Sequence, residues 1–164
     1  FYGTEPLTDL VPLEQWRARE RVRLDPKTSA WIMGRLLKIL TLTQPFGVEM
    51  GKINSGNILV NPEEHHVFFF DWTIGYRHAE PLPVKIARAE LSAIATQMVL
   101  ALGGDPRTGT LPTSEQLPDS RYADFLKRLI DGERSDPVST GADFYDLVDE
   151  LWERGFHPFT THPL

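Results

Sequence analysis

Two short apolar runs, at residues 57–60 and 67–70, constrain the fold most because they give the clearest strand signal in the chain. The stretch between them, residues 61–66, is rich in turn-forming types such as Asn and Pro. This pattern predicts a β-hairpin. A two-stranded hairpin is not stable alone in water, so it must lie on other elements that cover one of its faces.

Long helices are predicted on both sides of the hairpin. Apolar residues recur at three- and four-residue spacing after Asp25 and Pro26, which suit an N-cap and a first helical position, and this helix should end before Pro45. Further periodic stretches predict helices at residues 84–102, 119–130 and 142–154. The expected fold class is therefore mainly α with a small β-hairpin.

The length and composition favour one compact domain. With 164 residues, of which 41% are hydrophobic, the chain is long enough for one core and too short for two ordinary domains. We expect a single domain over residues 1–164. Residues 1–24 are predicted to form a hinge-like lead-in segment, and residues 156–164 a tail in which His157 and His162 are ordinary surface groups.

Charge and cysteine content exclude several classes of function. The formal net charge of −6 argues against a nucleic-acid partner or an anionic membrane surface, since both require a concentrated basic face. The absence of cysteine excludes a disulfide framework, a thiolate nucleophile and a zinc–thiolate site. No apolar run approaches the roughly 20 residues that span a bilayer. A cytoplasmic location is therefore expected.

The pattern that carries chemistry is MGKINSGNILV at residues 50–60, followed by FDWT at residues 70–73. Its order and spacing resemble the catalytic core of the protein kinase superfamily, in which an H-R-D-x-x-x-x-N loop precedes one hairpin strand and D-F-G follows the other. In this resemblance Asn57 stands at the metal-binding Asn, Asp71 at the Asp of D-F-G, and Lys52 at the catalytic Asp. It implies a protein-kinase-like C-lobe.

The substitution at Lys52 implies that the catalytic function is lost. A charged ammonium cannot accept the proton of a substrate hydroxyl, and losing such a group typically costs about 10²- to 10⁴-fold in rate. The resemblance implies that Asn57 and Asp71 retain the residue types that hold Mg²⁺, so the expected cofactor is none or residual Mg-ATP. Lys52 would contact a phosphate or, as the favoured alternative, form an ion pair with Asp71.

The resemblance covers nearly all of this chain but only about the second half of a kinase domain. Glu90 stands where the D-x-W-S-x-G motif begins, and residues 122–137 resemble the later helices. No A-P-E motif follows Asp71, no G-x-G-x-x-G precedes the hairpin, and the only V-A-I-K-like string, residues 83–86, comes too late. The N-lobe is therefore lacking, or it precedes Phe1 in a longer product.

Three functions remain open from the sequence. The first is a catalytically inactive, pseudokinase-like module that acts as a protein-binding or scaffold domain. Its protein partner, or an upstream N-lobe, would cover an apolar face near Phe1, Tyr2, Leu7 and Trp72. The second is half of a nucleotide-binding or phosphotransferase domain. The third is a structural helical domain that matches the motif by chance, and topology would discriminate it from the others.

Simpler interpretations apply to other residues. Asn57 alone would fit a turn residue that caps a strand, and only the spacing to Asp71 favours the kinase-like interpretation. His65 and His66 fit a hairpin tip better than a metal site, because no third ligand is suitably spaced. No G-x-S-x-G elbow is present, so a serine hydrolase of that type is excluded.

Overall fold

The computed structural model describes residues 9–108, 110, 119–153, 155 and 157–164. Its strands are β1 (Val11–Pro12), β2 (Val22–Leu24), β3 (Ile58–Asn61), β4 (His66–Phe69) and β5 (Thr161–Pro163). Its helices are α1 (Leu13–Ala18), α2 (Pro26–Thr43), α3 (Val84–Ala101), α4 (Ser120–Ile130) and α5 (Pro137–Leu151). The described residues thus form a mixed fold of helices and two small antiparallel sheets, with more strand than predicted. None of these described helices is both long and apolar enough to cross a lipid bilayer.

Helix α2 begins and ends where the sequence predicts. The Asp25 carboxylate accepts a hydrogen bond from the Thr28 N–H at 2.7 Å, and Pro26 takes the first helical position. After Thr43 the chain continues as a 3₁₀ turn, Gln44–Phe46, because Pro45 cannot supply the N–H of a further α-helical turn. The apolar side of α2 is buried in the core, with Ile32, Met33, Leu36, Leu37 and Leu40.

Helix α3 lies at the centre and packs against both α2 and α4, while α5 packs against α2. Leu91, Ile94 and Met98 of α3 are completely buried. Helix α5 begins at Pro137, five residues earlier than the predicted start at 142, because Asp136 accepts hydrogen bonds from the first backbone N–H groups of the helix.

The predicted hairpin is present and has gained a third strand. β3 pairs antiparallel with β4, with Ile58 opposite Phe69, and β1 pairs with the other edge of β3. Ile58 and Phe69 are buried and face the helices. The alternate positions, Pro12, Leu59 and Phe68, are matched across the three strands and therefore share the outer face. The sheet thus covers the helices with one face and presents an apolar row on the other.

The C-terminal segment, predicted as a tail at residues 156–164, pairs with the rest of the fold through its described residues. β5 pairs antiparallel with β2, with Leu24 opposite Thr161. His157, predicted to be an ordinary surface group, bonds through Nε2 to Asp25 Oδ1 at 2.9 Å. The ring of Phe159 lies 4.9 Å from that of Trp16, measured between centroids. The lead-in segment likewise contains β1, α1 and β2.

Candidate functional site

Asn57 joins the loop before β3 to the segment that follows β4. Its Nδ2 donates to the carbonyl oxygens of Lys52 at 3.0 Å and Asp71 at 3.1 Å. Its Oδ1 accepts the N–H of Asp71 at 2.8 Å. The side chain is 6% exposed, so these bonds replace water that it cannot reach. Asn57 therefore fixes Lys52 and Asp71 on either side of itself through their backbones.

Asn54 shapes the same loop, although it is not among the predicted site residues. Its Oδ1 accepts the backbone N–H groups of Gly56 and Asn57, each at 3.0 Å. This is the local side-chain-to-backbone bonding that makes Asn a turn former. The Asn-Ser-Gly string could have indicated it, because that composition is a turn signal by itself.

Asp71 is held as a carboxylate by its neighbour Thr73. Its Oδ1 accepts the Thr73 N–H at 2.9 Å and the Thr73 hydroxyl at 2.5 Å. The pKa of Asp71 is lowered mainly by the bond from the Thr73 hydroxyl and next by the bond from the Thr73 N–H. The charge of Lys52 lowers it to a smaller extent. Among the ion pairs of residues 9–108, none joins Lys52 to Asp71, so the predicted pairing is not formed. Lys52 is exposed.

The oxygens at this position fit Mg²⁺ only in part. Asn57 Oδ1 already accepts one N–H, and Asp71 Oδ1 already accepts two hydrogen bonds. Asp71 Oδ2 and the second lone pair of the Asn57 amide oxygen remain available to coordinate a metal ion. Mg²⁺ prefers six oxygen ligands in octahedral geometry and is usually bound by carboxylates together with substrate phosphates. A metal here would therefore depend on oxygens from a bound phosphate group.

Glu90 of α3 supports the loop from beneath, a role that the sequence does not indicate. Its Oε1 accepts the Met50 N–H at 2.5 Å. Its Oε2 is buried without a hydrogen-bond partner, and the residue is 4% exposed. The pKa of Glu90 is raised to about 7, mainly by burial and to a smaller extent by the charge of Glu49, while the bond from the Met50 N–H lowers it. Nearby, Glu49 Oε2 pairs with His78 Nε2 at 2.6 Å.

Two glycines allow the backbones of this region to approach closely. Gly51 has φ +83°, and a Cβ added there would lie 2.9 Å from the backbone nitrogen of Gly75. A Cβ on Gly75 would lie 2.8 Å from the carbonyl oxygen of Glu49 and 3.0 Å from that of Trp72. Neither position has room for a side chain. The backbone of the loop that contains Lys52 therefore packs directly against the backbone of the segment after Asp71.

A row of exposed apolar side chains runs from β4 through the segment after Asp71. Alternate residues of this stretch, which we call the aromatic ridge, are between 37% and 68% exposed. The ridge consists of Phe68, Phe70, Trp72, Ile74 and Tyr76. Phe68 and Phe70 alternate at the end of β4, whereas Trp72 and Ile74 lie in a turn that the Gly75 N–H closes by donating to the Trp72 carbonyl at 2.9 Å. Large apolar side chains exposed one after another in this way favour a docking site.

The remaining predicted residues have varied positions. The Trp72 indole N–H donates to the Phe69 carbonyl at 3.0 Å, so this side chain is anchored although it is exposed. His65 stacks on Trp31 with ring centroids 4.9 Å apart. Within the described ranges, no three His, Asp or Glu side chains are grouped so as to hold a metal ion. The predicted face near Phe1, Tyr2 and Leu7 lies outside the described residues.

Comparison with known sequences adds no assignment, because neither a protein-family model nor a curated protein matches this chain.

Proposed function

We propose that this chain is a catalytically inactive, kinase-like module that binds another protein or an upstream lobe through its aromatic ridge. The observation that carries the proposal is the set of three hydrogen bonds made by the Asn57 side chain, which hold the backbone at Lys52 close to the backbone at Asp71. Lys52 stands where the resemblance places the catalytic base. The order of helix, loop, hairpin and central helix also supports the kinase-like C-lobe over a chance match of the motif.

Loss of catalysis follows from the chemistry of the site. The ammonium group of a lysine cannot accept a proton as the carboxylate of a catalytic Asp does. The Asn57 side chain, which in the resemblance would hold a metal, makes all three of its hydrogen bonds to backbone groups. The hydrogen bonds of Asn57 thus give the motif a structural role, and the position that the resemblance assigns to the catalytic base holds Lys52.

The binding role follows from what the site exposes. Phe70 is 68% exposed and Tyr76 63% exposed, and both belong to the ridge. The ridge continues onto the outer face of the small sheet through Leu59, which pairs with Phe68. Large aromatic side chains are the groups most enriched at the centres of protein interfaces. A partner that covers this surface would bury the apolar area that the chain leaves in water.

Self-association of the purified chain tests this role. Without its partner, the ridge should drive reversible self-association, and the double variant Phe70→Ser/Tyr76→Ser should weaken it at least about tenfold, as expected for interface hot spots. Sedimentation velocity over a concentration series measures the effect. Leu42→Ser is the matched control, since Leu42 is 70% exposed at the end of α2, outside the ridge. A strictly monomeric wild type, or a double variant that behaves like the control, would contradict the proposal.

The second candidate is half of a nucleotide-binding or phosphotransferase domain whose N-lobe lies upstream or in a partner. The observation in its favour is that Asn57 and Asp71 do lie together, with 2.8 Å between Asn57 Oδ1 and the Asp71 nitrogen. Asp71 Oδ2 would then contact Mg²⁺ held by the nucleotide phosphates.

Thermal unfolding with and without Mg-ATP separates the two candidates. The inactive module should show no change in Tm at millimolar Mg-ATP. The nucleotide-binding candidate requires a rise, equivalent to about 2.7 kcal/mol when ligand is at a hundredfold excess over Kd. That rise must vanish in Asp71→Ala and persist in Asp146→Ala, an exposed carboxylate of α5.

A further inference from the structure

A cleft of about 390 Å³ lies between α2 and α5, away from the loop that carries Lys52. The two helices run antiparallel. The Lys27 Nζ donates to the Glu153 carbonyl at 3.2 Å at one end, and the Thr41 hydroxyl donates to the Pro137 carbonyl at 3.4 Å at the other. Cavities of this size are in the range that holds small ligands. The cleft therefore lies along two antiparallel helices that contact each other directly near both of their ends.

Aromatic side chains form the walls of this cleft, with Trp31 on α2 and with Tyr145 and Trp152 at α5. The Tyr145 hydroxyl donates to the Gly34 carbonyl at 3.0 Å, which fixes the position of its ring. A Cβ on Gly34 would lie 3.2 Å from that hydroxyl and 3.3 Å from the Phe144 ring. The depth of the cleft beneath Tyr145 thus depends on the absence of a side chain at Gly34.

Cationic side chains of α2 border the same cleft. Lys27, Arg35 and Lys38 line it together with Trp31, and the successive spacings of four, four and three residues along these positions keep them on one face of the helix. Lys38 Nζ lies 5.8 Å from the centroid of the Tyr145 ring. Among the described residues, Arg35 and Lys38 form no salt bridge within 4.0 Å.

The cleft has side chains of both charges. Its carboxylates are Asp149, one turn after Tyr145 on α5, and Glu153, which follows the end of that helix, and both lie toward the end where Lys27 lies. Arg35 and Lys38 lie toward the other end, beside Tyr145. These two cations favour an anionic group beside Tyr145. An aromatic body between Trp31 and Tyr145 would gain stacking contacts that a bare anion lacks.

We propose that the α2–α5 cleft is a binding site for a small aromatic anion, such as an aryl phosphate. The ring would be enclosed by Trp31, Tyr145 and Trp152, and the anionic group would pair with Arg35 and Lys38. Arg and Lys beside an apolar enclosure form stronger charge-assisted bonds than they would in open water. The site is separate from the ridge and does not rest on the kinase-like resemblance.

Calorimetry and tryptophan fluorescence with 1-naphthyl phosphate test this site in the whole chain. It should bind at least about tenfold more tightly than either 1-naphthol or inorganic phosphate, because each of these lacks one half of the recognised chemistry. Binding should weaken as the salt concentration rises.

Variants assign the binding to this cleft. Arg35→Gln/Lys38→Gln should weaken binding of 1-naphthyl phosphate at least about tenfold without changing Tm, because both side chains are exposed. Lys85→Gln/Arg88→Gln removes two exposed cations from α3 and should leave binding unchanged. Equal affinity for 1-naphthol, or the same affinity in both double variants, would overturn the proposal, as would no binding to the wild type.

Discussion

Glu90 couples the stability of the molecule to pH. Its pKa is raised from 4.5 to about 7 in the folded state, mainly by burial. The folded state therefore holds this proton more tightly than the unfolded chain does. The resulting stability is fully present below about pH 4.5 and is lost as the pH rises through about 7. This shift in pKa corresponds to a contribution on the order of 3 kcal/mol to the free energy of unfolding.

Replacing Glu90 by Gln should remove this dependence. We expect the free energy of unfolding of Glu90→Gln, relative to wild type, to increase by about that 3 kcal/mol between about pH 4.5 and about pH 8. Urea unfolding at a series of pH values measures the difference. Glu63→Gln is the control, since Glu63 is exposed at the hairpin tip. A difference between wild type and Glu90→Gln that is constant with pH would show that Glu90 ionises normally.

Asn57 should be important for folding even if the chain binds no nucleotide. Asn57→Ala removes three bonds and leaves the Lys52 and Asp71 carbonyls without a side-chain donor. We expect a loss of about 2–4 kcal/mol in the free energy of unfolding. Ser55→Ala, in the same loop, should change it by less than about 0.5 kcal/mol. Chemical denaturation of both variants without nucleotide makes the comparison, and an unchanged Asn57→Ala would argue for a purely functional role.

At the scale of elements, Asp25 connects the start of α2 to the C-terminal segment. Its carboxylate accepts the Thr28 N–H and also bonds His157. Asp136 begins α5 in the same way, with Pro137 after it, but among the described residues its carboxylate bonds only the N–H groups of Val138 and Ser139. The bond from Val138 is long, at 3.4 Å. The two Asp-Pro pairs thus differ mainly in the contact with His157.

This difference can be measured. Asp136→Ala should cost about 1 kcal/mol, the usual value of an N-cap. Asp25→Ala should cost roughly 1 kcal/mol more, because it also removes the hydrogen bond to His157. In the His157→Ala background the two losses should become equal, as followed by thermal unfolding. Equal losses in the wild-type background would show that His157 contributes nothing to the stability of the tail.

Which elements can be read from the sequence depends on where their stabilising partners are. Helix α2 and the β3–β4 hairpin could be predicted because caps, periodicity and turn residues are local signals. The same Asp-Pro start signal occurs at Asp136, but it lies five residues before the start at 142 that the apolar periodicity predicts. β1, β2 and β5 have only two or three residues each, and their pairing depends on distant partners, so no local pattern indicates them.

The candidate site was predicted less completely than the fold. Asn57 and Asp71 do lie together, but their contact uses the Asp71 backbone, which motif spacing does not specify. The resemblance places Glu90 at the first position of the D-x-W-S-x-G motif but gives it no role, since neither its burial nor its contact with Met50 is visible in the sequence. From the sequence alone, the alternating apolar residues of the ridge cannot be distinguished from those of a strand that is buried in the core.

At the scale of the whole molecule, one core cluster extends through the described parts of the chain. It includes Leu13 of α1, Leu36 of α2, Met98 of α3 and Phe144 of α5. No described helix has a separate core, so the elements should unfold together. Far-UV and near-UV circular dichroism should give one coincident thermal transition.

A core substitution extends this test. Leu36→Ala should lower the free energy of unfolding by about 2–5 kcal/mol and shift both signals equally, since Leu36 is fully buried. Leu42→Ala, on the exposed end of α2, should shift neither by much. If the two signals separated in Leu36→Ala, the chain would contain independently unfolding parts.

The close approach of Gly51 and Gly75 affects how sequence variation at these two positions should be interpreted. With 2.9 Å from a Gly51 Cβ to the Gly75 nitrogen, almost any substitution would force two backbone runs apart. A mutational scan scored only for soluble expression would therefore retain both glycines, together with Asn57. Retention of these residues would therefore reflect the demands of folding and would be no evidence for phosphoryl transfer.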